Sequence, residues 1–212
     1  GEVIMKAAAK GARPVSLEMG GKNAAIIFED ADFDAAIEGT LRSAFVNSGQ
    51  VCLGTERVYV QRPIFDKFVA ELKKQVEGWK IGLPEDADTK LGPVISKEHQ
   101  AKVLSYYQLA VAEGATVVTG GGVPDMGAGF AEGAWVQHTI WTGLPETARV
   151  IKEEIFGPCC HIAPFDTEEE VLAKANDNVY GLATAIWTRD VSRAHRVAQK
   201  MKVGLSWVHS WV

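Results

Sequence analysis

Two hydrophobic periodicities alternate along the chain. Ala24–Phe28 is a short apolar run of the length expected for a buried strand. Asp30 or Asp32 then caps a helix that carries Phe33, Ile37, Leu41, Ala44 and Phe45 on one face, and Asn47, Ser48 and Gly49 end it. Val58, Tyr59 and Val60 make Arg57–Gln61 a strand. Pro63 opens a helix whose apolar side is Phe65, Phe68, Val69 and Leu72, and a polar loop, Gly82–Pro93, follows it. A helix is predicted from Lys97 to Glu113, closed by Gly114. Ala115–Thr119, Trp135–Thr142 and Cys159–Phe165 read as strands, the first two separated by a Gly-rich loop that runs to Gly133. Thr167 caps the acidic helix Glu168–Asn176, with Glu170 as its capping-box partner. Gly181–Thr188 is a strand, Asp190–Lys202 a helix and Val203–Val208 a last strand, while Gly1–Ala12 reads as the end of a helix.

Strands separated by helices of this length predict βαβ units. The expected fold class is therefore α/β: a parallel sheet with right-handed crossovers, covered by helices on both faces. The 212 residues suffice to bury a core without metal or disulfide. At 47% apolar and 23% charged, the composition is that of an ordinary globular protein. The net charge of −5 and the lack of a Lys/Arg-rich stripe argue against a nucleic-acid partner. No apolar run reaches membrane-spanning length, and no charged-then-apolar leader opens the chain, so the expected location is cytoplasmic, away from membranes. Cys52, Cys159 and Cys160 are an odd set that fits reduced thiols, and no Cys/His grouping has the spacing of a metal site. The glycines from Gly120 to Gly129 lack the phosphate-loop pattern and read as a surface loop. Both ends look cut, which suggests a piece of a longer chain.

Three segments carry candidate chemistry: Leu17-Glu18-Met19-Gly20-Gly21-Lys22-Asn23, then Asn47-Ser48-Gly49-Gln50-Val51-Cys52 with Arg57 five residues on, then Glu153-Glu154-Ile155-Phe156-Gly157-Pro158. Cys52 follows a helix-ending turn, where a side chain can face a cleft and act as a nucleophile; a buried structural cysteine is the plainer alternative. Glu18 ends a strand-like run, Pro14–Leu17, and precedes two glycines, where a carboxylate can swing or lose solvent and serve as a base; a solvated turn residue is its alternative. In this order and separation the three segments resemble the aldehyde dehydrogenase superfamily, over essentially the whole chain.

The resemblance implies a three-layer, parallel-sheet catalytic domain of the aldehyde dehydrogenase type over residues 13–212, with residues 1–12 the remnant of a cofactor domain or a linker helix. It implies Cys52 as nucleophile and Glu18 as the water-activating base. An aldehyde has no leaving group but hydride, so oxidation goes most easily through a thiolate adduct and a thioester that water then cleaves. The Cys52 N–H would face the oxyanion; the second donor of the family lies upstream, and Asn47 is only a turn residue. Glu154 matches the residue that binds the nicotinamide ribose, Phe156 the aromatic beside the ring, and Met19 and Gly20 the backbone at the carboxamide. Without the motif, Glu154 would be a surface acid and Phe156 ordinary core. His99 matches a ribose contact only weakly.

The expected cofactor is NAD or NADP, and the expected substrate a conjugated, dicarboxylate-like semialdehyde of aromatic hydrocarbon catabolism. A homo-oligomer is expected, together with a dinucleotide-binding domain that these residues lack, so the piece alone should be inactive. A catalytically incompetent scaffold or oligomerisation module is the alternative. Coenzyme A-acylating chemistry is disfavoured by Glu18, and a Cys–His hydrolase needs a histidine beside Cys52. His209 and His138 stand where relatives carry Asn and Pro.

Overall fold

A computed structural model describes residues 1–130 and 132–211; residue 131, inside the expected Gly-rich loop, and residue 212, at the end of the expected catalytic domain, lie outside the described residues. Helix α1 (Glu2–Ala9) buries none of its residues. After an irregular segment come β1 (Asn23–Ile27), α2 (Phe33–Phe45), β2 (Thr55–Gln61), α3 (Phe65–Glu77), β3 (Lys80–Ile81), β4 (Thr89–Leu91) and α4 (Lys97–Ala112). The chain continues through β5 (Thr116–Thr119), β6 (Thr139–Thr142), α5 (Arg149–Lys152), β7 (Cys159–Phe165), α6 (Glu168–Asn176), β8 (Ala183–Trp187), α7 (Val191–Lys200) and β9 (Leu205–Val208).

Seven strands form one sheet in the order β5-β6-β7-β2-β1-β8-β9. Every neighbouring pair is parallel except β5 and β6. The strand side chains alternate between two helical layers. Ala25, Ile27, Val58, Val60, Cys160 and Ile162 meet Ile37, Leu41, Phe45, Phe68 and Leu72 from α2 and α3. From the opposite face, Ala24, Ile26, Tyr59 and Phe165 meet α6 and α7, and Trp141 and Cys159 meet α4 and α5. The expected three-layer α/β architecture is thus present, and Cys159 and Cys160 point to opposite faces as adjacent strand residues must.

Several local expectations hold. Asp32, and not Asp30, caps α2 by accepting from the Ala35 N–H at 3.2 Å. Asp30 instead accepts from the Thr188 hydroxyl at 2.8 Å and from Arg193 at 3.0 Å, tying β1 to the start of α7. Thr167 accepts from the Glu170 N–H at 3.2 Å, but Glu170 returns its bond to the N–H of Asp166, one residue before the cap.

Others do not hold. The run Pro14–Leu17 is not a strand: residues 13–22 have no regular structure. Only Thr139–Thr142 of the expected strand Trp135–Thr142 joins the sheet. The backbone just before it is held by side chains and a loop: the Gln100 amide donates to Trp135 O at 2.6 Å, Tyr107 to Gln137 O at 2.9 Å, and the Gln137 N–H donates to Gly122 O at 2.9 Å. Pro63 sits in a separate 3-10 turn, Arg62–Ile64, ahead of α3. The loop Gly82–Pro93 contains β4, which pairs with β3, and the one-turn helix α5 was not foreseen.

Candidate active site

The three motif segments meet at the amino ends of the sheet strands. Asn23 begins β1, Cys52 lies just before β2, and the Glu153–Pro158 segment leads into β7. Those strands are neighbours in the sheet, so segments far apart in sequence converge at one edge. Open parallel sheets commonly bind ligands at the carboxyl ends of their strands; here the chemistry-bearing residues gather at the opposite edge.

The turn that leads to Cys52 is built from left-handed backbone. Asn47, Ser48 and Gly49 have φ of 52°, 56° and 70°. Left-handed backbone at consecutive non-glycine residues is sterically costly and persists only where neighbours over-determine it. Here they do. Asn47 and Gln50 exchange side-chain to backbone bonds at 3.1 Å each way. Ser48 Oγ donates to Gly92 O at 2.8 Å, and Gln50 Oε1 accepts from the Ile95 N–H at 2.9 Å. A Cβ on Gly49 would come within 2.0 Å of Gly157 O, so the turn lies directly on the third segment. Asn47 is thus a turn residue, as read.

Beyond the turn, Cys52 is exposed and its thiol takes no hydrogen bond among the described residues. Its carbonyl is clamped. Asn23 Nδ2 donates to Cys52 O and to Gly54 O, both at 2.8 Å, while Asn23 Oδ1 accepts from the Ala183 N–H at 3.0 Å. Trp211 Nε1 donates to Leu53 O at 2.9 Å. By contrast, burial pushes the Cys160 thiol up to about 12 and Cys159 well above its ordinary value, so both are packing residues with no accessible thiolate.

In the third segment the two adjacent glutamates have separate fates. Glu153 is held by Arg149 through paired bonds of 2.8 and 3.0 Å and by the Tyr106 hydroxyl at 2.8 Å, and these partners lower its pKa. Glu154 is half-buried and turns towards Gly20 and Gly21, with Oε1 accepting from the Gly21 N–H at 3.1 Å. Desolvation raises the Glu154 pKa, with the Gly21 bond opposing it. Oε2 takes no hydrogen bond among the described residues and is left as a free acceptor. Phe156 is half-buried with φ of 62°, its ring edge-on to His99 at 6.1 Å. His99 Nε2 lies 2.7 Å from Phe156 O; a carbonyl only accepts, so that nitrogen carries the proton.

From the first segment, Gly20 (φ 77°) lies against Glu154, and a Cβ on Gly21 would stand 3.0 Å from Cys52 O. The structure therefore brings together Gly20, Glu154, Phe156 and the Cys52 turn. Met19 is 61% exposed. Glu18 is exposed in the irregular segment, three residues before Gly21, and its carboxylate takes no hydrogen bond among the described residues. No histidine bonds Cys52 among the described residues: His161 accepts from the Leu144 N–H at 3.1 Å, His209 contacts Thr188 O, and His138 has an unpartnered Nδ1 in the α2 layer beside Phe45. The Cys–His reading has no geometric support. His209 has φ of 54°, a backbone that Asn and His adopt more readily than most residues.

Two features escaped the sequence reading. Asn23 was visible only as part of a motif, with no signal of its clamp. Glu56, in β2, holds the N–H groups of Ile155 and Phe156 at 3.1 and 2.9 Å and pairs with buried Lys22. Nothing in a β-strand pattern marks a glutamate for that task.

Known proteins share the sequence and the fold of this chain. The aldehyde dehydrogenase family pattern matches residues 1–212. A 2-hydroxymuconic semialdehyde dehydrogenase of Pseudomonas sp. (strain CF600) is 65% identical over 211 residues, which cover 100% of this chain and 43% of that protein. A 2-aminomuconic 6-semialdehyde dehydrogenase of Pseudomonas sp is 56% identical over 100% of this chain and 43% of that protein. The crystal structure of betaine aldehyde dehydrogenase from Staphylococcus aureus in complex with NAD+ matches with a TM-score of 0.96 at 42% identity, covering 100% of this chain and 42% of that one. The chain thus spans less than half the length of the relatives it matches. With one fold, one order of motifs and a family match over its full length, the chain belongs to the aldehyde dehydrogenase family.

Proposed function

We propose that the full-length protein carrying this chain is an NAD-dependent dehydrogenase that oxidises a conjugated semialdehyde, 2-hydroxymuconic semialdehyde foremost, to the carboxylate. The observation that carries this reading is the cradle beside the nucleophile turn. Gly20 has no side chain, and its place is filled by a Glu154 carboxylate with a free acceptor oxygen. Such an oxygen suits a ribose hydroxyl, and the exposed backbone at Met19–Gly20 suits a carboxamide. The cradle fits the nicotinamide end of a dinucleotide, with Phe156 packed beside the ring. The adenosine end is assigned to a separate unit of the full-length protein. The substrate assignment follows the 65% identity to a protein of that activity. A cytoplasmic homo-oligomer completes the reading; among the described residues no helix is long and apolar enough to cross a membrane.

The chemistry follows from this chain's residues. The Cys52 thiolate adds to the aldehyde carbon, and the Cys52 N–H, which has no backbone acceptor among the described residues, faces the new oxyanion. When bound, the nicotinamide supplies the acceptor for the hydride that this adduct expels. The product is a Cys52 thioester. Glu18 takes a proton from water, the hydroxide attacks the thioester carbon, and the C–S bond breaks to restore the thiolate and release the carboxylic acid, which gives its proton to solvent and leaves as the carboxylate.

The test is NADH formation by the full-length protein with 2-hydroxymuconic semialdehyde and with betaine aldehyde. Cys52→Ser is expected to abolish turnover. Glu18→Gln is expected to leave one burst of NADH per site and slow steady-state turnover by about 10²–10⁴-fold. The isolated 212 residues are expected to give no turnover. No NADH with any aldehyde would sink the reading and leave a scaffold module; a preference for betaine aldehyde would move the substrate.

A further inference from the structure

Two strips of chain face one another across the cradle, Gly20–Gly21 on one side and Glu154–Phe156 on the other, and one buried ion pair joins them. Lys22, directly after Gly21, pairs with Glu56, with side-chain exposures of 0% and 9%. Both Glu56 oxygens lie 3.1 Å from the Ile155 N–H, and Oε1 lies 2.9 Å from the Phe156 N–H. Arg57, buried beside it, donates to Lys22 O at 2.9 Å and to Ala175 O at 2.9 Å, anchoring the Lys22 backbone to the end of α6. The same carboxylate thus fixes the left-handed Phe156 and, through Lys22, the glycines opposite.

Stability alone does not call for charges here. A buried ion pair is often no better for stability than an apolar pair of the same volume. What an apolar pair cannot do is accept from two successive N–H groups and hold a lysine at once. We propose that Glu56, held by Lys22, is a positioning residue that sets the spacing between Gly20 and Glu154 and so the affinity for the nicotinamide end of the dinucleotide. This rests on the dehydrogenase reading above. Glu56 touches no reacting atom; it acts through Glu154 and Phe156.

The experiment compares two double variants of the full-length protein, so that no buried charge is left alone. Lys22→Met with Glu56→Leu removes both charges and both acceptors. Lys22→Met with Glu56→Gln keeps one acceptor oxygen. NAD affinity is read from quenching of tryptophan fluorescence, KM for NAD and for aldehyde from steady-state rates, and Cys52 competence from acylation by p-nitrophenyl acetate without NAD. The leucine variant is expected to unfold cooperatively, to acylate Cys52 within about twofold of wild type, and to lose about tenfold or more in NAD affinity. The glutamine variant is expected to recover most of that loss, with KM for aldehyde unchanged in both. Wild-type NAD affinity in the leucine variant would overturn the proposal, and so would parallel loss of acylation and folding, which marks a merely structural pair. If wild type itself neither binds NAD nor oxidises aldehyde, the dehydrogenase reading fails and this inference with it; an active wild type with unaffected variants fails this inference alone.

Discussion

A Cβ on residue 20 would stand 2.4 Å from Glu154 Oε2, so the absent side chain of Gly20 is what leaves room for the carboxylate. The backbone at residue 20 is also left-handed, with φ of 77°. Gly20→Ala therefore strains the backbone by about 1–2 kcal/mol and displaces Glu154 as well. Dinucleotide binding in the full-length protein is expected to weaken by about tenfold or more, while ester acylation of Cys52 persists. Unchanged NAD affinity in a calorimetric titration would contradict the cradle.

Asn23 holds both ends of the short stretch from Cys52 to Gly54. Asn23→Ala leaves two carbonyls and the Ala183 N–H without their partner, at a cost of about 2–4 kcal/mol. Asn23→Asp should be no better, because a carboxylate cannot donate to the two carbonyls. A lower urea midpoint is expected, together with loss of selective iodoacetamide labelling at Cys52. Wild-type labelling kinetics in the alanine variant would show that the clamp does not place the thiol.

Gly49 is required twice over, by its φ of 70° and by Gly157 O at 2.0 Å from a Cβ there. Gly49→Ala must push the Cys52 turn off the third segment. Because a backbone atom blocks the way, relief requires movement of the chain. Loss of both Cys52 acylation and NAD-dependent turnover is expected, with a stability loss of about 2 kcal/mol or more. A variant with full activity would show that the turn does not rest on Gly157.

Burial lowers the His161 pKa from 6.5 to about 3, and Lys22 and Lys174 add to the effect. A neutral His161 accepts from the Leu144 N–H. Between those two pKa values the unfolded chain binds the extra proton and the fold does not, so stability falls as pH drops through that window. The loss should reach a few kcal/mol across the window. His161→Gln keeps an acceptor for Leu144 without the proton, and its denaturation midpoint should fall less steeply from pH 6.5 towards pH 3. Parallel pH profiles for variant and wild type would rule the histidine out as the source.

The candidate site was only partly legible in the residues. Cys52, Glu18, Gly20, Glu154 and Phe156 were marked by their motifs, and the geometry gathers Gly20, Glu154, Phe156 and the Cys52 turn at one sheet edge. Which of two adjacent glutamates faces Gly20 was not a matter of local pattern. Arg149 and Tyr106 take Glu153, and they come from α5 and α4. Glu56 was invisible for the same reason: its partners are 34 and about 100 residues away in sequence.

The alternation of strands and helices, the faces they bury, a cap at Asp30 or Asp32 and another at Thr167, and the three motifs were legible in the residues alone. These depend on side-chain period and on bonds to backbone within a few residues, so they are written locally. The order of strands, the antiparallel pairing of β5 with β6, and the irregular course of Trp135–His138 were decided by the tertiary structure. So was the placement of the site at the amino ends of the strands. Burial of apolar faces and satisfaction of buried N–H and carbonyl groups are collective requirements, met by residues distant along the chain, and no local pattern specifies which distant partner meets them.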